Sequence, residues 1–421
     1  MLNEKGQREF AYLVTVDEVR EIPNYDRICQ YRVGGWWLVS GKGDYQVGDT
    51  ALYIEIDSLC PYTQEFAFLD EQFNDSGEKI RPDRHKIKTQ RFAKGTALSQ
   101  GLLCPLKDFP QLQGKEVGYF CTEELGITYY EVEDNVRKAS NEQLVNMKTE
   151  KRLERWCKKH KILSKFKFIK EWKRNSILNK IKKQQQKKKS DWNLRLGCVG
   201  ISRTDEERVQ CCFPQMKSLN LKWIPTEKID GTSTTFFLKR GKKEPFTVCS
   251  RNVVYDTPEK EDRNFYKDTD GNVYLKMAEK YKIEELFINI LKDNPTFEYI
   301  CFQGETYGGT IQKRNYGPEH RFALFNIIYQ EKGKNQVRLN PLEMSEKIKE
   351  WNDLYDAQVE CVPILAKEFE LPETCDELLE YAASETSKID GGMREGVVFR
   401  SIEGRNSFKA VSNEFLLKYH S

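Results

Sequence analysis

The sequence contains no apolar run long enough to cross a lipid bilayer and no Cys-x-x-Cys pair. Its first ten residues include Glu4 and Glu9 and have no apolar core, which argues against a signal or transit peptide. The twelve cysteines are scattered, and only Cys211 and Cys212 are adjacent. This usage is typical of reduced thiols and disfavours a disulfide framework or a zinc site. We therefore expect an intracellular protein, cytoplasmic or nuclear, that does not associate with membranes.

Glycine and proline are scarce, with 26 Gly and 14 Pro among 421 residues, whereas 32% of the residues are charged and 12% are aromatic. This composition is typical of soluble globular domains, and the length allows two or three of them. We divide the chain into a first domain at residues 8–130, a linker at residues 131–195 and a second domain at residues 196–421.

Positive charge is concentrated in the linker. Between Lys148 and Ser190 there are 18 Lys or Arg and 3 Glu, a local net charge of +15, whereas the whole chain carries +3, so the remainder sums to −12. Apolar residues recur at roughly helical spacing from Leu153 to Ile177, which predicts one or two amphipathic helices. Three interpretations stay open: a spacer with a solvated face, an arm that grips phosphates, or a nuclear localisation tract.

Short candidate strands separated by glycine-containing turns characterise the first domain. They span residues 9–19, 29–33, 36–39 and 51–56. Such a pattern favours a small β-barrel. Basic residues cluster around Phe92 between Arg81 and Lys94, and a basic groove with an aromatic platform suits a nucleic-acid backbone and its bases. We predict nucleic-acid contact through Lys88, Arg91 and Phe92; the alternative is a solvated barrel rim that binds nothing.

A lysine followed by aspartate and glycine, Lys228-Ile229-Asp230-Gly231, lies between two strand-like segments of the second domain. We expect Lys228 near a strand end, facing a pocket, with Asp230 on the same side of the strand. An amine attacks phosphorus only when it is neutral, so nearby positive charge must lower its pKa, and Asp230 can hold a hydrated metal ion there. Taken alone, the motif more often marks a surface lysine before an ordinary Asp-Gly turn.

Helical and strand patterns follow this motif. Helices are predicted at residues 273–291, 341–354 and 373–383, and strands at residues 297–302, 321–328, 359–364, 394–400 and 407–411. The combination predicts an α+β domain with a largely antiparallel sheet.

Six short motifs occur in order along the second domain. They are Lys228-x-Asp230-Gly231, Ser250-Arg251-Asn252, Gly304-Glu305, Phe322 to Ile327, Glu395-Gly396-Val397-Val398 and Phe408-Lys409-Ala410. This ordered set resembles the nucleotidyltransferase domain of the covalent ligases and capping enzymes. Residues 33–36, residues 47–49 with 53–58, and residues 87–92 followed by 98–102 resemble the oligonucleotide/oligosaccharide-binding (OB) domain that precedes it in RNA ligases of the Deinococcus and Naegleria type. The resemblance covers nearly all of the chain outside the linker.

The resemblance implies an ATP-dependent RNA ligase that acts in three steps. Lys228 attacks the α-phosphorus of ATP to form lysyl-AMP, the AMP passes to an RNA 5′-phosphate, and a 3′-hydroxyl then displaces the AMP. Nucleotide contacts are assigned to Glu227, Arg251, Glu305, Phe325 and Lys409, and a Mg²⁺ or Mn²⁺ ion to Asp230, Glu305 and Glu395. Relatives of this type favour duplex nicks with RNA on the 3′-hydroxyl side. The expected partner is therefore RNA in a nicked duplex, the expected role is RNA repair, and the expected state is a monomer.

Two positions depart from that family pattern. Ser407 stands where many of these ligases have the first of two lysines, and Asn326 stands where many have aspartate. Two other classes stay open. A capping guanylyltransferase carries its OB domain after the nucleotidyltransferase domain, which is the reverse of the order here. A non-catalytic RNA-binding relative would keep the barrel and the linker but would not react with ATP.

Overall fold

The computed structural model describes residues 8–73, 79–129, 169–179, 196–241, 246–251, 253–255 and 272–419, together with residues 153, 156, 157 and 160. Most of the linker predicted at residues 131–195, including its lysine-rich tract, and Asn252 of the second motif lie outside the described residues. Residues 169–179 form a helix, as the apolar spacing there predicts. Within the described ranges, no helix has the length and apolar character needed to span a bilayer.

The N-terminal region folds into short strands. They are Ala11–Thr15 (β1), Glu18–Glu21 (β2), Ile28–Val33 (β3), Trp36–Gly41 (β4), Thr50–Ile54 (β5), Ser58–Leu59 (β6), Gln72–Phe73 (β7), Lys79–Arg81 (β8), Thr89–Phe92 (β9), Ala97–Gln100 (β10), Leu102–Pro105 (β11) and Thr128–Tyr129 (β12). Two three-stranded antiparallel sheets have the orders β1-β5-β11 and β2-β3-β4, and three separate two-stranded sheets are formed by β9-β10, β6-β12 and β7-β8. Short 3₁₀-helices occur at Gln64–Leu69, Ala93–Gly95, Leu106–Asp108 and Pro110–Leu112. Short strands and Gly turns thus form the predicted type of small β-structure.

The strand predicted at residues 9–19 is interrupted. β1 pairs with β5, whereas β2 pairs with β3 in the other sheet. Between them, the Val16 amide donates to the Asp49 carbonyl at 2.9 Å, and the Asp17 amide donates to the Arg32 carbonyl at 2.8 Å. The chain therefore changes sheets at this point, a change that an alternating sequence pattern cannot reveal.

The C-terminal region contains two sheets. The strands are Glu207–Arg208 (β13), Trp223–Lys228 (β14), Thr232–Lys239 (β15), Thr247–Ser250 (β16), Val254–Tyr255 (β17), Phe297–Tyr307 (β18), Arg321–Glu331 (β19), Gln336–Arg338 (β20), Glu360–Cys361 (β21), Gly396–Ser401 (β22) and Ser407–Val411 (β23). The smaller sheet has the order β13-β23-β22-β14, and the larger has the order β17-β16-β15-β18-β19-β20 with β21 beside β19. All pairings are antiparallel except β13 with β23 and β21 with β19. The predicted α+β class with largely antiparallel sheets is confirmed.

Helices cover the outer faces of these sheets. They are Val209–Ser218 (α1), Val273–Lys280 (α2), Ile283–Asp293 (α3), Pro341–Tyr355 (α4), Cys375–Ser384 (α5) and Asn413–Tyr419 (α6). One apolar cluster joins α2, α3 and α4 to the larger sheet, and another joins α1 and α5 to the smaller one. α4 begins with a capping box, in which the Asn340 side chain accepts from the Glu343 amide and Glu343 accepts from the Asn340 amide. Burial of one apolar stripe per helix therefore holds both sheets in place.

Two predicted elements of the second domain also differ from the structure. The helix expected at residues 273–291 is two helices, because Lys282 adopts a left-handed conformation with φ of 48°. This break lets α2 and α3 both bury their apolar sides in the same cluster. The strand expected at residues 359–364 is reduced to β21, and Pro363, which has no amide hydrogen to donate, follows it closely.

The N-terminal and C-terminal regions contact each other through buried and charged groups. Arg8 binds Glu55 at 3.1 Å and Glu207 of β13 at 3.2 Å, and Glu55 is fully buried. Leu98 of β10 packs against Val411 and Leu416. The N-terminal region is therefore held against β13 and β23 of the smaller sheet.

Candidate active site

A cavity of about 350 Å³ lies where the two C-terminal sheets meet. The smaller sheet contributes Lys228 and Lys409, and the larger sheet contributes Glu305 and Phe325. All eight residues that the motifs assign to the nucleotide and the metal line it: Glu227, Lys228, Asp230, Arg251, Glu305, Phe325, Glu395 and Lys409. Residues spread over more than 180 positions of sequence thus converge on one cavity.

Strand pairing brings Lys228 to Glu395. Lys228 is the last residue of β14 and pairs with Gly396, the first residue of β22. The residue before Gly396 is therefore beside the end of β14, and Lys228 Nζ donates to Glu395 Oε2 at 2.7 Å. Lys228 therefore lies at a strand end and faces a pocket, as the sequence predicts.

The carboxylates around Lys228 stabilise its charged form. Burial alone lowers the pKa of the Lys228 ammonium, but Glu395, Glu305 and Asp230 outweigh burial and raise that pKa above its ordinary value. Burial raises the pKa of Glu305 to about 8, which Lys228 opposes and the neighbouring carboxylates reinforce. Without added positive charge, this cavity therefore holds Lys228 as an ammonium, which cannot act as a nucleophile.

Asp230 lines the cavity from a turn and not, as expected, from the same strand as Lys228. β14 ends at Lys228, so strand alternation does not place Asp230, which lies in the turn that follows and is only 3% exposed. Its backbone amide donates to the Tyr316 hydroxyl at 3.2 Å. Gly231 comes next, and a β-carbon there would collide with the Thr306 carbonyl. The glycine lets the turn approach β18, which brings Asp230 close to Glu305.

Glu227 is buried and holds a loop. One carboxylate oxygen accepts from the Ser387 hydroxyl at 2.5 Å, and the other accepts from the Lys388 amide at 2.8 Å. The side chain thus anchors the segment that leads to Glu395. A contact between Glu227 and the nucleotide base stays a prediction.

An acidic residue that the motifs did not include joins Arg251 and Lys409. Asp205 Oδ1 accepts from Lys409 Nζ at 3.0 Å, and Oδ2 accepts from the Arg251 guanidinium. Burial opposes ionisation of Asp205, but the two cations lower its pKa below the ordinary value. Asp205 lies in the polar segment Thr204-Asp205-Glu206, which lines the cavity. The only sign of Asp205 in the sequence was a short cluster of polar residues just before β13. Such a cluster has no periodicity and did not identify Asp205 as a site residue.

Phe325 is covered on one side by an arginine. The Arg400 guanidinium lies 5.6 Å from the Phe325 ring centroid, donates to the Phe325 carbonyl and donates to Glu206 Oε1 at 3.1 Å. Arg400 of β22 pairs directly with Ser407 of β23. Opposite residues of an antiparallel pair share a face. Arg400 therefore lines the cavity from the position opposite Ser407. Ser407 is the residue that stands where many of these ligases have a lysine.

The three residues predicted to contact nucleic acid have different surroundings. Lys88 is exposed. Arg91 donates to the Leu417 carbonyl of α6 at 2.5 Å, so it joins the two regions of the chain. Phe92 packs partly buried beside Ile22 and Ala97. Of the three, Lys88 has the surroundings of a surface contact, whereas Arg91 and Phe92 have structural partners.

Carboxylate oxygens dominate the acidic side of the cavity, which suits Mg²⁺ or Mn²⁺. Among the described residues, no group of three His, Cys, Asp or Glu side chains is arranged to bind one ion directly. The donor chemistry of Asp230, Glu305 and Glu395 therefore fits a cation that keeps several of its waters.

Comparisons with known proteins agree with this geometry. Residues 221–420 match the family model described as RNA ligase, and residues 10–106 match an OB-fold domain model. A comparison with curated proteins gives no match.

Solved structures of a Naegleria gruberi RNA ligase match over nearly the full length. A variant with ATP and Mn is 27% identical, with a TM-score of 0.59, and the match covers 98% of this chain and 100% of the other. A second variant, with AMP and Mn, is 26% identical, with a TM-score of 0.59 and coverage of 98% and 99%. The enzyme with PPi is 27% identical, with a TM-score of 0.57 and the same coverage. Residues 221–420 therefore form a domain of the RNA ligase family, and an OB-fold domain precedes it.

Proposed function

We propose that this RNA ligase uses ATP to join a 3′-hydroxyl to a 5′-phosphate through a lysyl-AMP on Lys228 and an adenylylated 5′ end. The observation that carries the proposal is the cavity that brings Lys228 together with Glu395 at 2.7 Å, with Phe325 and with Lys409. Residues 8–130 would act as the OB domain, residues 131–195 as a linker and residues 196–421 as the adenylyltransferase domain.

The first step is the attack of Lys228 on ATP. The Nζ lone pair forms a bond to the α-phosphorus, the bond from that phosphorus to the bridging oxygen breaks, and pyrophosphate leaves. Glu395 fixes the position of Nζ, and Lys409 lies on the same wall of the cavity to stabilise charge on the α-phosphate. Arg251 and Glu305 would contact the ribose, and Phe325 would stack on the adenine face opposite Arg400.

The two later steps use the same cavity. An oxygen of the RNA 5′-phosphate attacks the phosphorus of lysyl-AMP, and Lys228 leaves as the amine. The 3′-hydroxyl then attacks the 5′-phosphate, AMP leaves, and a phosphodiester bond remains. Each step is a displacement at phosphorus, in which alignment and neutralisation of charge supply most of the rate.

Lys228 needs added positive charge to become a nucleophile, because its carboxylate neighbours raise its pKa. A Mg²⁺ or Mn²⁺ ion held through water by Asp230, Glu305 and Glu395 would neutralise these carboxylates and lower the pKa of the lysine. The similarity to ligase structures with ATP and Mn supports this choice of cofactors.

The direct test is the mass of the intact protein after incubation with ATP and either Mg²⁺ or Mn²⁺. We expect the mass to rise by one AMP, and hydroxylamine, which cleaves phosphoramides, to reverse the change. A protein of unchanged mass with both metals would contradict the proposal and favour a non-catalytic RNA-binding relative.

The substrate is proposed to be a nick in a duplex with RNA on the 3′-hydroxyl side, as in RNA repair. We expect such a nick to be sealed about 10- to 100-fold faster than the same nick with a 2′-deoxy terminus, because a protein group that binds the 2′-hydroxyl would be left without its partner. The measurement is single-turnover sealing of four matched duplexes, with RNA or DNA on each side. Equal rates for all four would contradict the strand preference but not the chemistry.

The pairing of Asp205 with Lys409 and Arg251 predicts an effect on ATP affinity. Among the described residues, the four cationic side chains that line the cavity each have a carboxylate neighbour, and the triphosphate must compete with Asp205 for two of them. We expect Asp205→Asn to lower the half-saturating ATP concentration by about 3- to 10-fold, the size expected for a partly exposed charged pair. Single-turnover adenylylation over a range of ATP concentrations measures it.

Asp376→Asn is the matched control for Asp205→Asn. Asp376 is equally exposed, at 40% of its side chain, and pairs with Arg32 outside the cavity. Its substitution should leave the half-saturating ATP concentration as it is. A rise in that concentration for Asp205→Asn would show that Asp205 supports the two cations instead of competing for them.

A further inference from the structure

Arg314 is a buried arginine outside the cavity, with a full set of partners. It lies in the loop between β18 and β19 and is 4% exposed. Its guanidinium forms a bidentate pair with Asp390, at 2.9 Å to Oδ2 and 2.6 Å to Oδ1. It also donates to the Met393 carbonyl at 2.9 Å and the Asn315 carbonyl at 3.0 Å. A planar donor fork with four hydrogen bonds fixes its neighbours more rigidly than a single charge can.

The partners of Arg314 link it to two acidic residues of the cavity, to Glu395 through Met393 and to Asp230 through Tyr316. Met393 is two residues before Glu395, whose carboxylate binds Lys228. On the other side, the guanidinium lies 4.2 Å from the ring centroid of Tyr316, and the Tyr316 hydroxyl accepts from the Asp230 amide at 3.2 Å. One side chain therefore supports the backbone at both Asp230 and Glu395.

The loop at residues 387–393 is held from two directions. Glu227 binds its beginning through Ser387 and Lys388, and Arg314 binds its middle and end through Asp390 and Met393. The loop is also closed internally, because the Ser387 amide donates to the Gly392 carbonyl at 2.7 Å. Loss of the Arg314 contacts would free the loop end from which Glu395 emerges.

We propose that Arg314 is a positioning residue for adenylyl transfer, which rests on the proposed function of Lys228. Arg314 does not line the cavity and does not touch the reacting atoms. It acts by fixing Glu395 and Asp230 relative to the amine of Lys228. A displacement of about 1 Å at reacting groups is enough to lower a rate about 100-fold.

The test compares Arg314→Lys and Asp390→Asn with the wild type, using single-turnover adenylylation over a range of ATP concentrations and the midpoint of thermal unfolding. Arg314→Lys keeps the charge but loses the fork, and should lower the rate constant at saturating ATP by about 10- to 100-fold. The half-saturating ATP concentration should change by less than about threefold, because the residue acts on the chemical step and not on binding. Asp390→Asn should lower the same rate constant less, and the double variant should be no slower than Arg314→Lys alone.

Arg240→Lys is the control for the loss of a multiply bonded arginine. The Arg240 guanidinium binds the carbonyls of Leu291, Asn294 and Phe297 and does not line the cavity. We expect this variant to unfold at a lower temperature and to form the adduct at the wild-type rate.

A wild-type rate for Arg314→Lys, or an effect confined to the half-saturating ATP concentration or the unfolding temperature, overturns the inference. If Arg314→Lys does not fold, Asp390→Asn decides by the same criteria. Wild-type protein that takes up no AMP overturns the proposed function instead, so the two failures are distinct.

Discussion

Lys228→Ala and Lys228→Arg will form no adduct with AMP, and the rate of adenylylation will fall by at least about 1,000-fold. Alanine removes the nucleophile. Arginine keeps the positive charge beside Glu395, but its guanidinium stays protonated and cannot attack phosphorus. The measurement is intact mass, or retention of label from radioactive ATP, with Mg²⁺ and with Mn²⁺.

The control for this experiment is another lysine near the same strand. Lys222 precedes β14 and binds Glu368 at 3.2 Å and also Glu370, so it resembles Lys228 in being a lysine paired with carboxylates. It does not line the cavity. Lys222→Ala should form the adduct normally, whereas an adduct on Lys228→Ala would assign the nucleophile to a different residue.

The rate of adenylylation should also depend on pH in one direction. The pKa of Lys228 is raised, so the neutral amine is the minor form at neutral pH and its fraction grows as the pH rises. We expect the single-turnover rate to increase from pH 6 to pH 8, with at most about a tenfold gain per pH unit. A rate that falls over this range would mean that deprotonation of Lys228 does not limit the step.

The sequence predicted the α+β class, which is confirmed, and it also named eight residues that meet in one cavity, whose roles stay predictions. Of these eight motif residues, Lys228 and Glu395 lie at or beside strand ends, whereas Phe325 and Lys409 lie within β19 and β23.

The prediction that Asp230 lies on the same strand as Lys228 was wrong. The position of Asp230 depends on the close approach of Gly231 to β18 and on the Tyr316 hydroxyl. Such contacts join residues about 80 positions apart, which no local pattern encodes.

Other residues were missed because their roles depend on partners that are distant in sequence. No sequence pattern singles out Asp205 or Arg400. In the cavity, Asp205 binds Lys409 and Arg400 binds Glu206.

The basic cluster near Phe92 shows the same limit, because Arg91 donates to a carbonyl of α6, a contact that the sequence does not reveal. Its contact with nucleic acid stays a prediction. Composition identifies charged residues, but only the packing of the two regions shows which of them face solvent.

Lys409→Ala should reduce both the first and the last step of the reaction, which separates its role from that of Lys228. Lys409 lies on β23, on the wall of the cavity that also holds Lys228, and its Nζ binds Asp205 at 3.0 Å. If it contacts the α-phosphate in every step, its loss removes charge stabilisation each time, at about 100- to 1,000-fold per step. The first step is measured as adduct formation from ATP, and the last as sealing of a nick whose 5′ end already carries AMP.

The two variants should then behave differently on the adenylylated nick. Lys228→Ala, which lacks only the nucleophile of the first step, should seal it, whereas Lys409→Ala should seal it slowly. Lys334→Ala is the control, because Lys334 lies in a turn, is 67% exposed and pairs with Glu331 outside the cavity. Normal sealing of the adenylylated nick by Lys409→Ala would restrict this lysine to the attack on ATP, and the α-phosphate contact in the final step would then have to come from another cation such as Arg400.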